Sequence, residues 1–299
     1  MHFNSFPNLE AVLACPVCKG DLNLTSERIE CRSCRRAFPQ PDGDWFELLP
    51  GEPVPRDENW ERRQHEMAGW YQDLIASPED AARSLEDDYA SYAEELSELS
   101  GSVLDIGGGS GIPRHFLAPG TRYVVVEPSL DWLQGKWEQL TDVFPCLESR
   151  PSFVRGVGEY LPFAAGTFDA VLVFWALNHV SRPEAVLRET ARVLRPGARL
   201  IVVLEDMIPR LRDLLDPDFP AQDIFTNVFD PEETLNPRHP RLQLLRRMNP
   251  ARWPLQTDHI RIREPDIYRW VARNFVVSKR YWVMHFLTLV FEKLSSRIS

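Results

Sequence analysis

Four cysteines fall in two pairs, Cys15-Pro-Val-Cys18 and Cys31-Arg-Ser-Cys34, spaced C-x2-C-x12-C-x2-C. Two such knuckles can offer four thiolates to one tetrahedral Zn²⁺. In a reducing compartment these pairs rarely serve as structural disulfides. A redox role would want a βαβ pattern around a C-x-x-C, and none is present here. The stretch LACPVCKGDLNL…IECRSCRRAFPQPDGDWFELLP reads as a small ribbon too short for much core, so metal ligation would supply its folding energy. Gly20 suits a tight turn after the first pair, whereas Arg35 and Arg36 leave the second knuckle to turn without glycine. Cys146, far along the chain, reads as a small core filler.

A second group of residues points to nucleotide chemistry. Ser102-Val-Leu-Asp-Ile-Gly-Gly-Gly-Ser-Gly111 is a short apolar strand running into a glycine turn and a helix start. Glycines at 107, 108, 109 and 111 let backbone pass close to a ligand where a Cβ would clash, and Asp105 is placed to organise the turn. Arg122-Tyr-Val-Val-Val-Glu127 is a second buried strand ending in an acid, 22 residues after Asp105. In a doubly wound sheet an acid there accepts hydrogen bonds from a ribose diol, with the ligand across the carboxyl ends of the strands. A nicotinamide-type G-x-G-x-x-G would need glycine at position 112, which is Ile112.

The elements that must carry these groups are set out unevenly. The 299 residues hold 43% hydrophobic and 26% charged side chains, which excludes a disordered chain and indicates one main domain with attachments or two domains. No apolar run approaches a membrane span, and the N-terminus lacks the marks of a signal peptide, so a cytoplasmic location without membrane contact is expected. The net charge of -10 argues against gripping nucleic acid by charge alone, but it is a sum of opposites. Residues 42–100 carry 17 acids against 4 arginines, and residues 238–280 carry 11 bases against 3 acids. The basic run, with Arg246, Arg247, Arg252, Arg261 and Arg263, could meet an anionic substrate or RNA, but pairing with the acidic helices accounts for both runs at once. GEPVPRDEN reads as a linker, 58–76 and 78–100 as acidic helices, and 205–258 as an irregular lid with short helices. A helix over 264–274 and closing strands over 275–277 and 282–291 complete the chain, with MHFLTLVFEKL as an edge strand.

Two resemblances sharpen this. Residues 13–49, on the pattern CPxCKG…C..C…FP..DG, resemble the Trm112-like zinc ribbon, a module also found in front of ribosomal RNA guanine methyltransferases. Residues 100–204, on VLDIGGGSG…VVVEPS…LPFAAGTFD…RVLRPGARL, resemble class I S-adenosylmethionine-dependent methyltransferases of type 11. The resemblance implies an α/β doubly wound, Rossmann-like, seven-stranded sheet behind an N-terminal zinc ribbon. Its implied division is a ribbon over 1–50, a linker and acidic helices capping the cofactor site over 51–100, and a methyltransferase domain over 101–299.

It further implies that Asp105, Gly107, Gly108, Gly109 and Gly111 lie beside the methionine moiety and that Glu127 holds the ribose. Val157, Gly158 and Glu159 would flank the adenine, Leu161 and Phe163 would pack, and the loop from Phe174 to His179 would face the transferred methyl group. Val157 stands where the family usually has an adenine-binding aspartate; a backbone carbonyl could replace that acceptor at about 1–2 kcal/mol. His179 is the candidate general base for a hydroxyl acceptor, His239 and His259 are candidate substrate contacts in the lid, and His115 is structural. The expected activity is S-adenosylmethionine-dependent methylation of a small or medium-sized acceptor. The alternatives are a base methyltransferase of ribosomal or transfer RNA, using the ribbon and the basic lid, and a non-catalytic cofactor-binding or assembly protein.

Overall fold

A computed structural model describes residues 6–25, 27–39, 45–51, 88–130, 152–229, 240–248, 253–254 and 259–295, with seven isolated positions between 62 and 77. At the N-terminus β1 (Leu22–Leu24), β2 (Arg28–Cys31) and β3 (Ala37–Pro39) form an antiparallel three-stranded ribbon. Its four cysteines converge. Cys15 Sγ lies 3.7 Å from Cys34 Sγ, and Cys18 Sγ lies 3.4 Å from Cys31 Sγ. Four sulfurs about 2.3 Å from a common tetrahedral centre stand roughly 3.8 Å apart, so the cluster fits a zinc ion.

Both knuckles turn alike. The N–H of Lys19 donates to Cys15 O, the N–H of Arg35 donates to Cys31 O, and both residues have left-handed backbones (φ +63° and +60°). The left-handed residue of the first turn is thus Lys19, and Gly20 follows it. A Cβ there would run into the Ser33 side chain, so closeness of the two knuckles selects the glycine.

The main sheet contains β4 (Trp45–Glu47), β5 (Ser102–Ile106), β6 (Arg122–Glu127), β7 (Ser152–Arg155), β8 (Phe168–Phe174), β9 (Leu194–Leu204), β10 (Phe275–Val283) and β11 (Phe286–Lys293). Their order is β10-β11-β9-β8-β5-β6-β7-β4. Strands β4 to β9 run parallel, while β11 is antiparallel to β9 and β10 to β11. An eighth strand thus joins the seven expected. It is β4, at the end of the ribbon segment, with Phe46 registered on Val154.

Strand alternation divides the core between two faces. Leu104, Ile106, Val124, Val126, Val171, Val173, Leu200 and Val202 point to one side, which also buries Cys15, Ile29, Cys31 and Phe38 of the ribbon. That side is covered by α2 (Pro183–Val193) and α5 (Glu264–Val271). Val103, Tyr123, Val125, Leu172, Ile201 and Val203 point to the other, under α1 (Ala93–Ser97) through Tyr92 and Leu96. Helices on both faces make the sheet doubly wound.

Three expectations change. The helix start after Gly111 is only a 3-10 turn, Ile112–Phe116, because ten residues separate Gly111 from β6 and Pro119-Gly120 turns the chain back. The apolar run in β11 is an inner strand, buried from Phe286 to Phe291, and β10 is the edge; a continuous apolar run belongs to a strand covered on both faces. The last helix stops at Val271 rather than at 274. Of the expected lid, α3 (Ala221–Val228) and α4 (Pro240–Arg247) close over Leu214, Phe219, Ile224 and Trp253 in a core of their own. Most of the acidic-helix segment 58–87, Cys146, His239 and Arg252 lie outside the described residues.

Candidate functional site

The order of the parallel strands reverses at β5, which lies between β6 and β8. A crevice at the carboxyl ends of the strands opens at such a switch point. There Gly107 has φ +69°, and a Cβ on it would lie 2.6 Å from Cβ of Ala176 in the turn after β8. Gly109 has φ +52°, and its N–H donates to Glu127 Oε2 at 3.3 Å. The other Glu127 oxygen accepts the N–H of Ser129 at 3.1 Å. The acid at the end of β6 is thus fastened to the glycine turn at the end of β5.

Asp105 is fully buried, and its Oδ2 accepts the Tyr123 hydroxyl. Its Oδ1 is buried with no hydrogen-bond partner among the described residues. Gly108 packs on this carboxyl group where any side chain would collide. Burial pushes Asp105 up to about 7, against the Tyr123 hydrogen bond. Burial likewise pushes Glu127 up to about 7, against the two backbone N–H groups it accepts from. A carboxyl whose folded pKa is raised takes up a proton on folding. Its contribution to stability is complete below the unfolded value near 4 and is lost as pH rises through about 7. The thermal midpoint of the ligand-free protein is therefore expected to fall between about pH 5 and pH 8, and replacing Glu127 by Gln should flatten that fall in a calorimetric pH series.

The neighbouring turn departs from expectation. Val157 is buried and apolar where an acceptor was wanted. A Cβ on Gly158 would lie 2.9 Å from Ile106 Cγ2 and 3.1 Å from the Val186 methyls, so this glycine lets α2 seat against β5. Glu159 Oε1 accepts the N–H groups of Ser181 (3.0 Å) and Arg182 (3.3 Å), which sets the entry into α2. Both residues thus also fix how α2 packs beside the crevice. Phe174 packs against two aromatic rings: Tyr89 stacks on it at 5.9 Å and Tyr92 meets it edge-on at 5.1 Å. The next residue, Trp175, has φ +53° and a buried indole N–H with no hydrogen-bond partner.

His179 ends the 3-10 turn Leu177–His179 after β8. Its Nε2 lies 3.5 Å from Glu205 Oε2, and Nε2 of His259 lies 3.6 Å from the same oxygen. The two imidazoles meet edge-on, 4.3 Å between centroids, and Nδ1 of His259 bonds Asp206 Oδ2 at 2.6 Å. Asn178 ties the three segments together. Its Nδ2 donates to Glu205 O at 3.2 Å, its Oδ1 accepts the N–H of Glu205, and its own carbonyl accepts the N–H of Ile260 at 2.8 Å. Sequence reasoning found the two histidines separately and missed Glu205, Asp206 and Asn178. The signal available was polar residues at the carboxyl ends of β8 and β9, where a doubly wound sheet places its chemistry. His115 stands apart, exposed and edge-on to Phe116.

Residues 104–202, from β5 through most of β9, match the family described as methyltransferase domain, and residues 8–43 match the family described as Trm112p-like protein. A region similar to methyltransferase domains thus follows a Trm112p-like ribbon. Among curated proteins it is similar to the ubiquinone/menaquinone biosynthesis C-methyltransferase UbiE of Hahella chejuensis, 37% identical over 34% of this chain and 42% of that one. The UbiE protein of Pseudomonas fluorescens is 34% identical over 38% and 45%. The chain thus spans less than half the length of these curated relatives. Among solved structures it resembles a complex of the Haloferax volcanii Trm112 methyltransferase activator with a methyltransferase, at 15% identity and TM-score 0.47, over 75% of this chain and 97% of that one.

The Trm112p-like ribbon is built into the methyltransferase domain at the LPF segment of residues 161–163. The N–H of Ala14 donates to Pro162 O and that of Ala164 to Val12 O, both at 2.9 Å. Lys19 Nζ reaches Pro16 O, Leu161 O and, at 2.5 Å, Glu189 Oε2 on α2. Arg192 closes the same knot on Glu189 and on the carbonyls of Leu161 and Phe163. Burial lowers the Lys19 pKa against the pull of Glu189. At Glu189 burial raises, but the hydrogen bonds from Arg192 and Lys19 prevail and hold the carboxyl below its ordinary range. Lys19→Met removes a charge-assisted bond from a largely buried group and is expected to cost about 1.5–3 kcal/mol, read as a lower denaturant midpoint.

Proposed function

We propose that the chain is a cytoplasmic enzyme that transfers the methyl group of S-adenosylmethionine to a small or medium-sized acceptor and carries a structural zinc ion in its ribbon. The observation that carries this reading is the Glu127 carboxylate held against the Gly109 amide at the switch point. The cradle fits the cofactor in two further respects. Asp105 keeps a buried oxygen with no partner among the described residues, and Gly107 and Gly109 hold the turn in left-handed conformations (φ +69° and +52°) that glycine adopts without strain. Asp105, Gly107, Gly108, Gly109 and Gly111 would border the methionine moiety, Glu127 would accept the ribose hydroxyls, and Val157 would give the adenine an apolar wall. When bound, the cofactor supplies an electrophilic methyl carbon on a sulfonium.

The protein has then to position the acceptor, exclude water and receive a proton. Residues 88–99, packed through Tyr89 and Tyr92 on Phe174 and Trp175, would cap the cofactor. A hydroxyl acceptor would give up its proton beside the His179 and Glu205 pair. Ionised Glu127 accepts from both ribose hydroxyls better than the protonated acid does. S-adenosylhomocysteine affinity is therefore expected to rise between about pH 6 and pH 8, opposite in sign to ligand-free stability over that range; calorimetric titrations at three pH values read it.

A small acceptor is supported by what the basic segment does with its charges. Arg261 Nη2 donates to Trp253 O, Arg263 and Arg269 pair with Asp266, and Arg280 pairs with Asp213 and Glu264. Lys279 meets Glu95 at 3.1 Å, and from β9 Arg199 meets Glu98 at 2.6 Å, so part of the acidic helical segment is matched as well. On the ribbon, Arg28 and Arg35 pair with Glu30. Arginines spent within the protein leave less charge for phosphates than an RNA enzyme wants. The UbiE relatives, C-methyltransferases of ubiquinone/menaquinone biosynthesis, point the same way. Labelled methyl donor incubated with total RNA and with a small-molecule extract tests the choice: label is expected in the extract, and label in RNA alone would sink the small-acceptor reading.

A further inference from the structure

We propose that His179, Glu205 and His259 bind a divalent transition-metal ion at the acceptor side of the methyltransferase domain. Their ligand atoms all lie within 4.8 Å of one another. Both histidine Nε2 atoms face one carboxylate oxygen, at 3.5 and 3.6 Å. Donors about 2.1 Å from a shared tetrahedral centre stand roughly 3.4 Å apart, so these two spacings, long for hydrogen bonds, match those of ligands to one ion.

The outer shell is in place too. Asp206 holds Nδ1 of His259 at 2.6 Å, which fixes the ring with Nε2 toward the cluster, the carboxylate–histidine arrangement that supports metal ligands. Asp206 has a left-handed backbone (φ +53°), a cost maintained by the surrounding structure at a point that aims this side chain. Asn178 fixes the backbone of the other two ligand segments relative to each other. His259 is almost wholly buried, and Glu205 and His179 expose about a fifth and a quarter of their side chains. The ligands therefore sit at the floor of an open site and not within a sealed one.

Two imidazoles and one carboxylate suit zinc, iron, cobalt or manganese better than magnesium or calcium, which take oxygen ligands. Three protein donors leave at least one position open, as in catalytic metal sites. The site lies beside the glycine crevice: the N–H of His179 donates to the carbonyl of Ala176, whose methyl packs on Gly107. The class of ligand for the open position is an oxygen-bearing acceptor, a point that rests on the methyl-transfer reading; the metal site itself does not. With an ion bound, His179 serves as a ligand instead of a base.

The test counts and characterises metal in the full chain. With the ribbon zinc-loaded, cobalt(II) titration is expected to bind one further ion per chain, with ligand-field bands but no thiolate charge-transfer band. His179→Gln and His259→Gln should each abolish that ion while keeping the ribbon zinc and the wild-type melting transition. Asp206→Asn should weaken it about 10–100-fold. Acetohydroxamate, an oxygen-donor probe, should shift the cobalt bands. A wild-type chain that holds only thiolate-bound metal, or a second ion indifferent to both histidine variants, overturns the site. Unshifted bands overturn the open position. S-adenosylhomocysteine calorimetry on the same samples reads the cofactor site separately, so failure of one assignment is distinguishable from failure of the other.

Discussion

Replacing Glu127 by alanine is expected to weaken S-adenosylhomocysteine binding by about 3 kcal/mol, roughly 100-fold, with the fold retained. Hydrogen bonds to a charged acceptor contribute about 1.5–3 kcal/mol each, and the proposed ribose diol makes two. The carboxylate has no substitute nearby on its strand, because the rest of β6 is apolar from Tyr123 to Val126. Removing it also strips the N–H groups of Gly109 and Ser129 of their acceptor, so the glycine turn loosens as the ribose contact goes. Glu127→Gln keeps an acceptor oxygen and should lose only about tenfold. If alanine binds as tightly as wild type in a calorimetric titration, the ribose assignment is wrong.

Removing the zinc proposed for the ribbon is expected to have the largest effect on stability. In zinc-dependent modules the binding energy, about 10–16 kcal/mol in isolated peptides, is folding energy. Here three short strands depend on a cluster whose Cys15 and Cys31 are fully buried. Cys15→Ser should lose the thiolate-bound ion and expose the ribbon to proteolysis. The damage should spread, because residues 12–19 hold the LPF segment and Glu189 of α2. Hydrogen exchange at residues 161–164 is therefore expected to quicken, and cofactor affinity to fall by about tenfold. A ribbon that stays protected after complete zinc removal would show that its packing on the sheet suffices.

The sequence revealed what is local. The cysteine spacing marked the cysteine cluster, and the glycine turn with Glu127 marked the crevice, because each depends on a fixed separation along the chain. Less legible was anything requiring distant segments to meet. Trp45–Glu47 is three residues long and becomes a strand only because β7 offers an unpaired edge. Phe174 and Glu159 read as cofactor contacts from their position in a motif, but that position did not announce their tertiary neighbours, Tyr89 and Tyr92 for the first and the start of α2 for the second. The cluster of His179, Glu205 and His259 joins residues up to 80 apart through Asn178, and no spacing rule announces it.

The most direct measurement of the central claim is calorimetric titration of the full chain with S-adenosylhomocysteine, alongside Gly107→Val as a control that closes the cradle against Ala176. One site per chain with micromolar affinity, about -8 kcal/mol, is predicted for wild type, with no detectable binding for the folded variant. No heat from wild type, or equal binding by both proteins, would contradict the cofactor site at the carboxyl ends of β5 and β6.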